Sequence, residues 1–207
     1  MVATVGPQLP RGRHSLSRDE VANSQRLRIV QGLAEAMRAK GFVATRVADV
    51  IELAGVSRET FYQHHENKLD AFLAAVDVVG EVLVDRLSEA LSGPGTPLER
   101  FERALTKYLD VLASHSGYAR IILVETYAAG PEAMARRAAI QERIVAALVE
   151  LFGAGSDSGR FACELLVAAV GAMVTLPVVA GEEDRVRALG PPLIDQVRSW
   201  IATGVLS

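Results

Sequence analysis

The stretch Thr45–Asp70, TRVADVIELAGVSRETFYQHHENKLD, constrains this chain more than any other. Val47, Val50, Ile51 and Ala54 fall on one face of a helix over about 47–54. Gly55 supplies a turn, Val56 a core plug, and Ser57 a cap for the next helix. In that helix Phe61 and His65 lie one turn apart and face inward, while Arg58 with Tyr62 and Glu59 with Gln63 form outward pairs. Asn67 then caps a longer helix. Two short helices on a tight glycine turn make a helix-turn-helix, the unit that lays its second helix in the DNA major groove.

The remainder reads as helix throughout. Half of the residues are apolar and 23% are charged, and β-branched runs bounded by turn signals are few. Ser17 with Glu20 has capping-box spacing, and apolar residues from Val21 to Met37 recur at helical spacing up to Lys40. Gly41 is placed as a left-handed stop, with Phe42 packing back onto this first helix. The helix opened by Asn67 continues to about Leu91, and Ser92-Gly93-Pro94-Gly95-Thr96-Pro97 is the clearest breaker. Further helices are expected at about 97–114, 117–128, 131–152, 159–180 and 186–204, with Gly181–Asp184 as punctuation. Pro191-Pro192 divides the last segment. The expected fold is all-α, with about nine helices. Residues 1–15 form a flexible basic arm, 16–66 a helix-turn-helix DNA-binding domain, and 67–207 a C-terminal helical domain.

Net charge is −3, but its distribution is uneven. Residues 1–70 carry ten Lys/Arg against eight Asp/Glu, and 71–207 carry twelve against seventeen. A mildly basic head on an acidic body fits a DNA-facing module. Arg11, Arg13 and His14 could reach a minor groove, or simply belong to a solvated leader. Cys163 is the single cysteine, which excludes an intrachain disulfide and a cysteine-based zinc site and fits a reducing cytoplasm. The first fifteen residues lack a signal core. The apolar run Leu165–Ala180 contains Pro177 and is short for a membrane span, so no membrane partner is expected. Phosphate-loop, dinucleotide, nucleophile-elbow and two-histidine metal motifs are all missing from the sequence. No catalytic residue, cofactor or metal is expected.

With these residues in view, the chain resembles the TetR family of transcriptional regulators. The family pattern appears as Gly41-Phe42, Thr45, Ala54-Gly55-Val56-Ser57, Thr60-Phe61-Tyr62 and Lys68-Leu69, within Arg18–Ala71. Three positions depart from it. Ile51 stands where the family has a small residue, so the two helices are expected to pack slightly wider. His65 replaces a phenylalanine and must be neutral or partnered, and Arg46 replaces a small hydroxyl residue.

Arg58 can fork onto guanine O6 and N7, Gln63 can pair with adenine, and Glu59 can accept from cytosine or remain solvated. Thr60 and Tyr62 offer hydroxyls to phosphate, and Ser57 and His64 complete the expected DNA-facing set. The resemblance implies phosphate contacts at Thr45, Arg46, Tyr62 and Lys68, and loss of Lys68 is expected to weaken all DNA binding and flatten its salt dependence. It also implies a homodimer through helices 159–180 and 190–204, the alternative being that 159–180 is simply the central core helix. Further, it implies a pocket in the C-terminal domain, with Phe101, Tyr108, Tyr118, Tyr127, Met134 and Met173 as candidates, and Glu125 beside them. An apolar or amphipathic small molecule would then release the dimer from a palindromic double-stranded operator. The alternative is a DNA-binding regulator without an effector.

Overall fold

A computed structural model describes residues 17–206, and all regular structure among them is helical. The expected basic arm lies outside the described residues. The elements are α1 (Arg18–Ala44), α2 (Val47–Ala54), α3 (Arg58–His64), α4 (Lys68–Leu91), α5 (Pro97–Ser114), α6 (Ser116–Arg120), a π turn (Ile121–Glu125), α7 (Thr126–Ala129), α8 (Pro131–Phe152), α9 (Asp157–Ala180), α10 (Glu183–Arg187) and α11 (Gly190–Ala202).

The caps fall where the sequence puts them. Ser17 and Glu20 form a reciprocal box, Thr96 and Glu99 form another, and Asn67 accepts the Asp70 N–H. Three details differ from expectation. Gly41 does break α1, but its φ of 72° comes with a ψ of 172°, so the backbone is extended there and winds one more turn to Ala44. Only glycine adopts that region readily. The expected helix 117–128 contains the π turn, whose wider spiral was invisible to a 3.6-residue pattern. Finally, α10 begins inside the stretch read as a breaker. Gly181 ends α9 at φ 71°, and Glu183 and Asp184 then favour a new helix start. Pro191 and Pro192 fall in the first turn of α11, where a missing N–H is harmless.

Two cores result. The head core buries Ile29, Leu33, Met37, Val50, Phe61 and Phe72, and runs unbroken into Ile121, Ala133 and Ile140 of the body. Val21 and Leu27 of α1 are exposed instead. Phe42 packs edge-on against Phe72 of α4 at 4.9 Å, at the edge of the core that also holds Leu33 and Met37 of α1. Ile51 is only half-buried at the rim of this core. The body core gathers Phe101, Leu109, Leu148, Leu166, Val174 and Val197 from α5, α8, α9 and α11. α4 contributes to both cores and so joins head and body.

α9 is long and apolar enough to cross a membrane by length and composition, yet Cys163, Leu166, Val170, Val174 and Val178 bury one face in the body core. Its opposite face leaves Phe161, Leu165, Leu176 and Val179 exposed, with Leu176 74% accessible.

Candidate nucleic-acid interface

The helix-turn-helix is held by backbone geometry. Gly55 adopts φ 60°, ψ 36°, which lets the Val56 N–H reach back to Ile51 O at 3.3 Å. Arg28 of α1 fastens the turn by donating to Gly55 O at 2.8 Å. α1 itself comes close because residue 32 is glycine: a Cβ there would lie 2.8 Å from Ala54 N and 2.9 Å from Val50 O.

On α3, Ser57 Oγ accepts the Thr60 N–H at 3.0 Å and lies 2.9 Å from the Thr60 hydroxyl. Burial of Phe61 and His65 fixes the rotation of the helix, so Arg58, Glu59, Tyr62 and Gln63 all face solvent. The Arg58 guanidinium lies 5.4 Å from the Tyr62 ring centroid, and the Gln63 amide donates to Glu59 at 3.5 Å. This face offers a fork of donors, a phenol and an amide within one and a half turns, suited to base edges and phosphates. Arg46 is exposed beside it, and its N–H donates to Asp49 Oδ2 at 2.8 Å. The hydrogen bond from Lys40 at 2.7 Å, followed by that from the Arg46 backbone, holds the Asp49 carboxyl below the usual range.

Three residues expected to face DNA are engaged with the protein instead. Thr45 is 2% accessible and its hydroxyl donates to Gly41 O at 2.7 Å, closing the break in α1. Its side chain is therefore internal in this structure, a correction to the expected phosphate contact. His64 Nε2 lies 2.9 Å from Gln25 Oε1, tying α3 to α1. Lys68 folds its ammonium inward, donating to Phe42 O at 2.7 Å and Thr45 O at 2.9 Å, 4.2 Å from the Phe42 ring centroid. Its burial lowers its pKa.

His65 is buried with Asp70 3.4 Å from Nδ1. Burial lowers its pKa; Asp70 opposes this, and His64 and Arg26 add to it. The folded head thus takes up this proton less readily than the unfolded chain. The contribution is complete above the unfolded value of about 6.5 and is lost as pH falls below it. Urea unfolding should give a lower midpoint at pH 5 than at pH 8, with His65→Phe narrowing the gap.

The expected pocket residues are dispersed. Phe101 and Tyr108 line an apolar cavity of about 70 Å³ between α4, α5, α8 and α9, completed by Leu87, Leu91, Ile144 and Leu148. Burial pushes the Tyr108 phenol up to about 12. Tyr127 and Met134 line an open groove of about 480 Å³ between the π turn, α7, α8 and α9. Tyr118 packs instead against the head core, and Met173 lines neither space but is exposed on α9.

Glu125 has a different office. From the π turn its carboxylate accepts the Phe42 N–H at 2.7 Å and the Arg120 guanidinium at 2.9 Å, while Arg120 Nε donates to Met37 O at 3.1 Å. A Cβ on Gly41 would come within 3.2 Å of that carboxylate. The body therefore grips the head through a buried ion pair that local sequence patterning gave no reason to join.

An exposed recognition helix on a glycine turn, mounted on a larger helical body, defines a helix-turn-helix DNA-binding protein. Residues 29–75 match the model for bacterial regulatory proteins of the tetR family, and residues 94–178 match the tetracyclin repressor-like C-terminal domain. The chain belongs to the TetR family of transcriptional regulators. It is similar to the HTH-type transcriptional activator FasR of Mycolicibacterium smegmatis, 27% identical over 156 residues covering 75% of this chain and 68% of that protein. Its fold is shared by solved structures that include two FadR proteins. FadR of Bacillus halodurans matches with a TM-score of 0.71 and 18% identity over 81% of this chain and 95% of its own. FadR of Bacillus subtilis, in complex with stearoyl-CoA, matches with 0.71 and 18% over 82% and 95%.

Proposed function

We propose that this protein is a cytoplasmic, dimeric, ligand-responsive regulator that represses from a palindromic operator and is released by an apolar or amphipathic small molecule. The observation that carries the DNA half is the outward face of α3, where Arg58, Tyr62 and Gln63 stand free of the core that orients the helix. In this reading residues 16–66 form the DNA-binding head and 67–207 the ligand-binding and dimerisation body. The exposed apolar face of α9, from Phe161 to Val179, together with α11, is the surface that a second copy covers.

The effector half rests on the apolar cavity and on α4. Lys68, at one end of that helix, holds the head, while Leu87 and Leu91, near the other, line the cavity. A ligand that enlarges the cavity displaces α4, and the Arg120–Glu125 grip carries movement of the π turn to Phe42. Half-sites must be read about 34–36 Å apart, so small shifts of the two heads suffice to lose the operator. The stearoyl-CoA bound by FadR of Bacillus subtilis supports a long acyl chain as the effector class.

The test is selection of genomic fragments by the purified protein, followed by titration of the complex with stearoyl-CoA. A palindromic operator bound by a dimer and released on titration is expected. Binding without symmetry, or by a monomer, removes the dimer reading; DNA retained at saturating ligand removes this effector class. Transcription from the operator should rise when the protein is deleted. A fall would make it an activator, as FasR is named.

A further inference from the structure

The outer face of α9 carries two unlike features. Near the start of the helix Phe161 and Leu165 stand 63% and 48% exposed. Further along, Ala168, Gly171, Ala172 and Leu176 line the open groove of about 480 Å³ that runs beside α8. A protrusion and a hollow on one face are the two halves of a self-complementary surface, the kind a two-fold dimer requires. Each half meets the other half of the partner only if the two copies of α9 run antiparallel. Parallel copies would set Phe161 against Phe161 and hollow against hollow.

Charge agrees with shape. α8 carries Arg136, Arg137 and Arg143, of which Arg136 pairs with Asp77 and Arg143 with Glu81, both on α4. Arg137 forms no ion pair among the described residues, and its guanidinium lies 4.8 Å from the ring centroid of Tyr127, another groove residue. A Cβ on Gly171 would lie 3.8 Å from Arg137 Nη2, so the guanidinium sits level with Gly171. Glu164 precedes Gly171 by about two turns and projects from the same side of α9. It lies 3.1 Å from Arg160, one turn earlier, in an exposed pair that holds it weakly. When a two-fold axis turns a helix antiparallel onto its own copy, matching sides stay together. The partner's Glu164 therefore arrives on the side that holds Arg137.

We propose that the groove is a socket for the second copy: across antiparallel α9 helices that meet at Ala168, the partner's Phe161 and Leu165 fill it and the partner's Glu164 pairs with Arg137. This rests on the dimer reading above and gives it an orientation, a register and an ion pair. Setting Glu164 level with Gly171 puts the axis midway, beside Ala168, where a small side chain permits close approach. The same register lays Leu165 and Phe161 of the second copy opposite Val170 and Val174, within the span of the groove. Leu123 and Tyr127 also line the groove and flank Glu125. Each copy's α9 thus rests beside the turn by which the other grips its own head.

Sedimentation velocity on the full chain tests the ion pair by charge exchange. Arg137→Glu and Glu164→Arg each set like charges together twice per dimer, and each is expected to raise the dissociation constant at least about tenfold. The double variant restores opposite charges and should return to within about threefold of the wild type. A residue that only supports the fold gives no such recovery. Register is read by oxidative cross-linking in a Cys163→Ala background. Ala168→Cys lies at the axis and should link to its own copy. Leu176→Cys should not, because about eight residues on each side of the axis hold the two Cα atoms roughly 24 Å apart, against the limit of about 7 Å for a disulfide. Single charge reversals that leave the dimer intact, a double variant no tighter than the singles, or self-linking of Leu176→Cys would each overturn the proposal. A wild type that stays monomeric at every concentration removes the dimer reading itself, whereas a stable dimer indifferent to these charges removes only the socket.

Discussion

Glu125→Ala is expected to cost about 3–5 kcal/mol of folding free energy, the loss typical when one member of a buried ion pair is removed. The carboxylate is almost wholly enclosed, and its partner Arg120 is mostly buried. Alanine leaves that guanidinium uncompensated and also strips the Phe42 N–H of its acceptor. Glu125→Gln should cost less, since an amide oxygen still accepts from Phe42 while the charge on Arg120 goes unmet. Urea unfolding measures both. A loss under about 1 kcal/mol in Glu125→Ala, as for a solvent-exposed pair, would show that the grip between head and body is not what the geometry implies. The same variant should release operator DNA less completely on ligand titration, because the link to Phe42 is cut.

Arg58→Ala is expected to remove about 1–3 kcal/mol of operator binding in each half-site and to relax base preference at one position there. A two-fold symmetric dimer suffers the loss twice. Lys68→Ala should also weaken binding, to all sequences alike, but the structure gives it a second route. Its ammonium clamps the carbonyls of Phe42 and Thr45, and each bond to a charged donor contributes about 1.5–3 kcal/mol. Removing it loosens the link between α1 and α2. If that is the cause, the unfolding midpoint falls and the salt slope of DNA binding is unchanged. If Lys68 instead meets a phosphate, the slope falls by about 1 and stability holds. Filter binding at several salt concentrations, alongside thermal unfolding, separates the two. An Arg58→Ala protein with wild-type affinity and base preference would place the recognition face elsewhere.

The helix-turn-helix was legible because its signals are local. Gly55 needs a positive φ, Ser57 needs the Thr60 N–H, and Phe61 with His65 repeats at one helical turn. What faces outward on α3 follows from what must face inward. The inward turn of Lys68 was not legible, since an ammonium at the start of α4 suits a phosphate or a carbonyl equally well. Thr45 misled for the same reason: a hydroxyl can bond a phosphate or, as here, the carbonyl of Gly41 four residues back. The π turn was hidden because the contacts it makes are remote. It brings Ile121 and Glu125 against the head, 83 residues from Phe42.

By itself the sequence determined the long helices, their caps, the glycine turn and the outward side of α3, because hydrogen bonds and apolar periodicity within a few residues decide those. The tertiary structure decided which polar groups are free to meet a partner. Among the described residues Arg58 pairs with no carboxylate, whereas Lys68, His64 and Glu125 are held by partners 23 to 83 residues away. A charged side chain goes to whichever oppositely polarised group the fold brings within about 3 Å, and no short-range pattern contains that distance.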